Sequence, residues 1–257
     1  MISHGHTGSG GDPGTTILED GRVIWSRSDG EVVEARVARD ALRRLREDIE
    51  ANAALDADAT FLAKLRAGAQ PPGHGVNGYT FEVVRDGRLV TVGSQDPRSF
   101  AGEEEFWIIS PEMRSLAALG RRLDDPVAGL GSDAFDGGVE PYLAKRFLVQ
   151  ILLSDQRGDG NYRADDVRWP FGEPLERVGE PYDLNDEYWD ARCLLVDASM
   201  AEMMATAEEA VGAHRDLTHA FTVIDYDSAT GGSVSLWVSA LLPHQSGSCV
   251  ELAALPR

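Results

Sequence analysis

The chain switches between two hydrophobic rhythms, and the switches mark out its elements. β-Branched and aromatic residues flank Asp20-Gly21 from Thr15 to Ser26. Asp-Gly supplies the positive φ of a tight hairpin turn, so the stretch predicts a hairpin, with Val32 to Val37 as a third strand. From Asp40 to Asn52 the rhythm becomes helical: Leu42, Leu45 and Ile49 share one face, with Arg and Glu opposite. The sequence Tyr79 to Val92 then repeats the hairpin pattern around Asp86-Gly87. Ser110-Pro111-Glu112 opens a second helix, with Ser110 as N-cap, Pro111 in the first turn and Glu112 complementing the dipole. Met113, Leu116, Leu119 and Leu123 form its apolar face. The two Asp-Gly-Arg turns lie 66 residues apart. The pattern therefore predicts two hairpin-then-helix units over residues 15–128, either a diverged duplication or a chance likeness of two common hairpins.

Beyond the Gly-rich stretch 129–138, a candidate domain boundary, residues 139–257 have a different grain. Arg146 to Leu153 predicts a buried strand and Ala191 to Val196 another. Ser199 with Glu202 forms a capping-box pattern. It opens a helix whose inner face carries Met200, Met203, Met204, Ala207 and Val211, a stripe that reads as core packing. Phe221 to Tyr226 and Ser233 to Leu241 predict a last hairpin around Gly231-Gly232. Residues 154–190 are turn-rich and acidic, with Trp169, Phe171, Tyr182, Tyr188 and Trp189 spaced to pin a long loop to the core. A ligand groove is expected between the hairpin layers and the aromatic loop 162–189. The fold class expected is α+β, built of antiparallel hairpins each followed by a packing helix. Residues 1–14, rich in Gly, Ser and His, predict a disordered arm.

Charge narrows the partners. The 257 residues carry a formal net charge of -19. Such a surface repels a phosphate backbone, which argues against nucleic acid, and it disfavours anionic membranes for the same reason. No apolar run approaches the ~18 residues of a membrane span. A small molecule, a protein or a cation remains as partner. Lys64 and Lys145 are the only lysines, a bias typical of high-G+C bacterial genomes. The start, Met1-Ile2-Ser3-His4-Gly5-His6, lacks the layout of a signal peptide, so as written the chain reads as cytoplasmic. Processing or truncation would make it an envelope or secreted protein.

Few patterns promise chemistry, and no cofactor is implied. Asp155 to Asp166 places acids at positions 1, 5 and 12 of a calcium loop, with Gly160 at position 6. The candidate ligands are Asp155, Asp159 and Asp166, but Arg157 stands where another oxygen donor belongs. An ordinary Asp/Gly turn is the simpler reading, and Arg157-Gly158-Asp159 is too short to imply adhesion. His4-Gly5-His6 lacks the Asp-His that completes a metal-hydrolase box. Residues 8–11 lack the Gly-Lys of a phosphate loop, and no Gly-x-Ser-x-Gly elbow occurs. His74, His214, His219 and His244 have no ligand spacing. The acid runs Glu103-Glu104-Glu105, Asp124-Asp125 and Asp165-Asp166 read as solvated loop charge. A catalytic site, if any, would gather scattered groups such as Asp159, Asp165, Glu187 and His244. Cys193, in a strand, and Cys249, just past the last strand, are placed to meet at one sheet edge. In an exported protein they would form a disulfide; in a cytoplasmic one, two thiols.

The Asp20-Gly21-Arg22-Val23-Ile24 turn with its following helix, Trp169-Pro170, Arg192-Cys193, Leu241-Leu242-Pro243 and Cys249 together resemble uncharacterised actinobacterial exported or lipoprotein-like proteins. The resemblance runs from about residue 15 onward. It implies an envelope location and favours the Cys193–Cys249 bridge, but it carries no activity. The expected function is a non-enzymatic binding or structural domain of the bacterial envelope. The alternatives are a hydrolase-like enzyme and a calcium-stabilised domain.

Overall fold

The computed structural model describes residues 1–7, 14–69, 77–103, 105–154, 178–182, 190–201, 221–227, 233–243 and 245. The chain is α+β and divides into two compact units between Pro141 and Tyr142.

The first unit contains strands β1 (Ile2–Thr7), β2 (Thr15–Ile17), β3 (Arg22–Ser26) and β4 (Val32–Arg36), then helix α1 (Arg39–Glu50). Next come β5 (Ala59–Phe61), β6 (Lys64–Leu65), β7 (Gly78–Arg85), β8 (Arg88–Gln95) and β9 (Trp107–Ile108). Helices α2 (Pro111–Asp124) and α3 (Pro126–Leu130) and strand β10 (Glu140–Pro141) complete it. Eight strands form one sheet in the order β10-β4-β3-β2-β1-β7-β8-β5, all antiparallel except the β5–β8 pair; β6 and β9 form a separate ribbon. One face of the sheet carries Ile2, Ile17, Val23, Trp25, Phe81 and Val92. Against it pack Leu45 and Ile49 of α1 and Leu116, Leu119 and Leu123 of α2, all buried in one cluster. Each such side chain contributes roughly 1.5–3 kcal/mol by leaving water. Both predicted helices therefore present the expected faces, and Ser110 caps α2 by accepting from the Met113 amide.

Both edges of this sheet are closed. Along β4 lie β10, the Val37–Phe135 bridge and a bond from the Asp136 amide to the Arg36 carbonyl. The Gly-rich stretch 129–138 is thus seated on the first unit. Along β8, β5 pairs with Val92 to Ser94, and the Asp58 carboxylate accepts from the Thr91 amide beside its ion pair with Arg88. Such caps hide strand edges that would otherwise recruit another chain.

Three expectations need correction here. Residues 2–7 are not a disordered arm: β1 lies between β2 and β7, with Ile2 opposite both Ile17 and Val83, and His4 is buried. Only 8–13 of the supposed arm lie outside the described residues. The two Asp-Gly turns also differ. At Asp86-Gly87 both residues have positive φ and Arg85 faces Arg88, the mirror-image two-residue turn. At Asp20-Gly21 only the glycine does, and the Leu18 and Gly21 amides bond to the Arg22 and Leu18 carbonyls, a longer turn with a bulge. The likeness of the two hairpin units does not extend to their turns. Finally, the helix after the second predicted strand of the C-terminal part is capped by Asp197, which accepts from the Met200 amide, and not by Ser199. Glu202 lies outside the described residues.

The second unit holds β11 (Arg146–Ser154), β12 (Glu180–Tyr182), β13 (Asp190–Asp197), β14 (Phe221–Asp227) and β15 (Ser233–Ala240). They form an antiparallel sheet in the order β12-β13-β11-β15-β14. On one face Phe147, Val149 and Ile151 line up with Val196, Leu236, Val238 and Ala240, all buried. The other face holds a small cluster of Leu148, Cys193 and Leu241. Arg192 donates to the Val178 and Gly179 carbonyls, fastening the approach to β12. Gly179, at φ 75°, is required there: a Cβ would sit 2.4 Å from the Cys193 carbonyl oxygen. Tyr142 donates to the Leu241 carbonyl and Arg146 to that of Gln245, tying the start of β11 to the end of β15.

Candidate functional site

Most residues singled out by motif lie outside the described residues: Asp155, Asp159, Asp165, Asp166, Glu187, His244 and Cys249, with His74, His214 and His219. So do Met203, Met204, Ala207 and Val211, and most of the aromatic loop. Cys193 is buried in β13, opposite Gln150 on one side and Glu180 on the other. Among the described residues no three His, Cys, Asp or Glu side chains are grouped to hold a metal. No described helix is long and apolar enough to cross a membrane.

The first unit nevertheless contains two places of interest, both on the face of β1, β2 and β7 that looks toward the helices. The first is a buried polar chain. The His4 ring stacks on Phe81 with centroids 4.9 Å apart, and its Nε2 lies 2.9 Å from Asp124 Oδ1 at the end of α2. Beside it Tyr79 donates to Asp96 Oδ2 at 3.2 Å and accepts from Arg98 at 2.7 Å. Arg98 also donates through Nε to Asp96, whose other oxygen accepts the Arg98 amide. Burial, reinforced by the Asp124 and Asp96 charges, pushes the Tyr79 hydroxyl up to about 12. Burial also acts to raise Asp96, but the hydrogen bonds from Arg98 outweigh it and hold the carboxyl below its ordinary value. Helix α2 can press onto this chain because position 120 is glycine: a Cβ there would meet Tyr79 at 2.8 Å and His4 at 3.2 Å. Thr15 locks the same corner by donating to the Leu123 carbonyl.

The adjacent acids Asp124 and Asp125 therefore do separate structural jobs and are not mere loop charge. Asp124 holds His4, and Asp125 caps α3 by accepting from the Ala128 amide. The groups of this chain that look reactive are engaged with one another. His4, Tyr79 and Asp96 are all buried, while their partners Asp124 and Arg98 reach the surface.

The second place is a cleft of about 710 Å³ at the other end of the same strands. Ile2, Ile17 and Val83 form its floor, one from each of β1, β2 and β7, and α1 supplies a wall of Leu42, Leu45 and Ile49. Leu18 and Leu42 are half-buried beside it, while the floor residues and Leu45 and Ile49 are buried. The rim is charged: Glu19, Arg46, Glu50, Arg85 and Asp86. Arg46 donates to the Glu19 carbonyl, while Arg85 pairs with Asp56 and donates to the Glu50 carbonyl. These bonds fix the two mouths of the cleft: the β2–β3 turn to α1, and the end of α1 to the β7–β8 hairpin. Sequence reading missed it because its residues come from four elements, and its floor includes the β1 that composition had assigned to an arm. Compared with known proteins, the chain matches no family model, no curated protein and no solved structure.

Proposed function

We propose that the chain is a non-enzymatic binding module whose ligand seats in the cleft beneath α1. One observation carries this reading: at the end of the sheet face away from the buried His4–Tyr79–Asp96 chain, a cleft of about 710 Å³ opens beside α1, with the half-buried Leu18 and Leu42 along it. An open cleft with a charged rim suits recognition, and buried, mutually bonded polar groups suit structure. The test is to titrate the isotopically labelled full chain with N-acetyl-leucinamide and N-acetyl-tryptophanamide and follow amide NMR shifts. Shifts at Leu18, Leu42, Val83 and Val84 are expected, and Leu42→Arg should abolish them. Shifts confined to other regions, or none at all, would defeat the reading.

The location we propose is the bacterial envelope, with Cys193 and Cys249 joined. The burial of Cys193 in β13 and the lack of any free cysteine among the described residues support the bridge. It would close a 56-residue loop, worth about 4 kcal/mol on a chain-entropy basis. Thiol titration of native-source protein in denaturant without reductant should find no free thiol; two thiols per chain would remove the bridge and its argument for the compartment.

A further inference from the structure

Strand β1 is an outlier in its own sheet. It lies in the middle, paired with β2 over Ile2–His4 and with β7 over Ile2–Thr7. Its neighbour β7 buries Tyr79, Phe81 and Val83. The β1 sequence, Ile2-Ser3-His4-Gly5-His6-Thr7, offers one apolar residue, and Ile2 is its sole member of the hydrophobic cluster. Beyond Ile2 it adds the buried His4 ring, and at Gly5 a Cβ would meet nothing within 4 Å. Main-chain bonds to two neighbours, Ile2 and the His4–Asp124 bond hold it in place. Polar, glycine-containing strands specify their pairing weakly and are prone to swap between chains. The connectivity allows the same exchange. Gly8-Ser9-Gly10-Gly11-Asp12-Pro13 joins β1 to β2, and all other elements of the unit lie C-terminal to this connection, so withdrawing β1 unthreads none of them. Withdrawal bares the edges of β2 and β7 in a sheet whose outer edges are both closed, and it uncovers Ile17 and Val83. The strand that fits this slot in register is another β1.

We infer that β1 is an exchangeable strand and that its partner is a second copy of this chain: each copy seats Ile2–Thr7 between β2 and β7 of the other, in a two-fold pair. Every contact of the closed chain is kept. Ile2 stands opposite the other copy's Ile17 and Val83, and His4 meets the other copy's Asp124. Because Ile2 also lines the cleft, each cleft of the pair is completed by the other copy. The inference is independent of what the cleft binds.

The tether sets the competition, since it gives a chain's own β1 an effective concentration in the millimolar range. Exchange therefore shows when chains unfold and refold together at near-millimolar concentration. It survives dilution, because β1 must break its bonds to two strands before it can leave. The test refolds an equal mixture of isotopically labelled and unlabelled full chain from urea, without reductant, at micromolar and at near-millimolar concentration. Size exclusion with light scattering then separates the products. The expected result is a species of twice the chain mass, at least about tenfold scarcer after micromolar refolding. In it, isotope-filtered NOEs should join Ile2 of one chain to Val83 of the other, side chains that face each other across the β1–β7 pair. Protein of single mass alone at both concentrations overturns the inference. A doubled mass without those NOEs overturns it as well, because the chains then meet through another surface.

Discussion

The two ends of the β1–β2–β7 face are built from the same three strands, yet one encloses a polar chain and the other opens beside a cleft. At the α2 end His4, Tyr79 and Asp96 are buried and bonded to Asp124 and Arg98. At the α1 end Leu18 and Leu42 are half-buried beside the buried Ile2, Ile17 and Val83. The difference lies in how each helix meets the sheet. Helix α2 has Gly120 at its contact and descends onto the rings. Helix α1 packs Leu45 and Ile49 onto the strands, and bonds from Arg46 to the Glu19 carbonyl and from Arg85 to the Glu50 carbonyl fasten its ends. Titratable side chains in a pocket usually point to chemistry. In this unit the titratable chain is buried between α2 and the sheet, and the cleft lies at the other end.

The comparison breaks most easily at Phe81, which is fully buried and lies under the His4 ring. Phe81→Ala should cost about 3–5 kcal/mol in urea denaturation, because it removes a large side chain and leaves His4 without its stacking surface. Leu42→Ala at the open end is already half solvated and should cost well under half as much. Equal losses would mean that the two ends are packed alike. Next in size is Gly120→Val. Its branched side chain would collide with both rings, for a loss of about 1–3 kcal/mol despite the better helix propensity of valine. A neutral result would show that α2 does not rest on Tyr79 and His4.

These positions also show what could be read from sequence and what could not. The helices were legible because Leu45, Ile49, Leu116 and Leu123 repeat at helical spacing and Ser110-Pro111 announces a start, all of it local information. Both hairpins were legible for the same reason, through Asp-Gly. Strand β1 was not: its partners are Ile17 and Val83, and the group that makes burial of His4 tolerable, Asp124, lies 120 residues away. Composition suggested a loose arm, although the alternation Ile2, His4, His6 carried the period of a strand. The edge caps by Asp58 and the split roles of Asp124 and Asp125 are likewise tertiary facts that no spacing rule contains. The cleft was invisible for a related reason: Ile2, Ile17, Leu42 and Val83 look like ordinary core residues until their elements are assembled.

Protonation sharpens the contrast. Tyr79→Phe should cost about 1–2 kcal/mol at pH 7, since the Asp96 and Arg98 bonds to the hydroxyl are lost. The hydroxyl is raised from 10.0 to about 12 in the fold, so the native state keeps its proton while the unfolded chain loses it. Its contribution is complete below pH 10 and is withdrawn between about pH 10 and 12, amounting to roughly 2–3 kcal/mol at the upper limit. The wild-type chain should therefore lose its advantage over Tyr79→Phe across that window, read as urea midpoints that converge and then cross near the upper limit. Asp96 acts at the other extreme. Its carboxyl is lowered below the ordinary 3.8, so the stability it provides is present above that value and lost as pH falls through the lowered one. Asp96→Asn should remove this acid-side slope. Parallel profiles for wild type and variants would mean that the polar end is solvated.

The smallest effect on stability belongs to Val84→Thr. Val84 is 37 % exposed and pairs across the β7–β8 hairpin with Leu89, which is 49 % exposed. Threonine keeps the β-branch that suits a strand and exchanges one methyl for a hydroxyl already in reach of water. Folding stability should change by less than about 0.5 kcal/mol, the usual range for exposed positions. Its side chain lies on the face away from the cleft, opposite that of Val83, so affinity for N-acetyl-leucinamide should stay within about twofold, whereas Leu42→Arg abolishes it. A larger fall would move the seat to the outer face of the hairpin. A stability loss above about 1 kcal/mol would mean that Val84 is core and that this outer face is covered in solution.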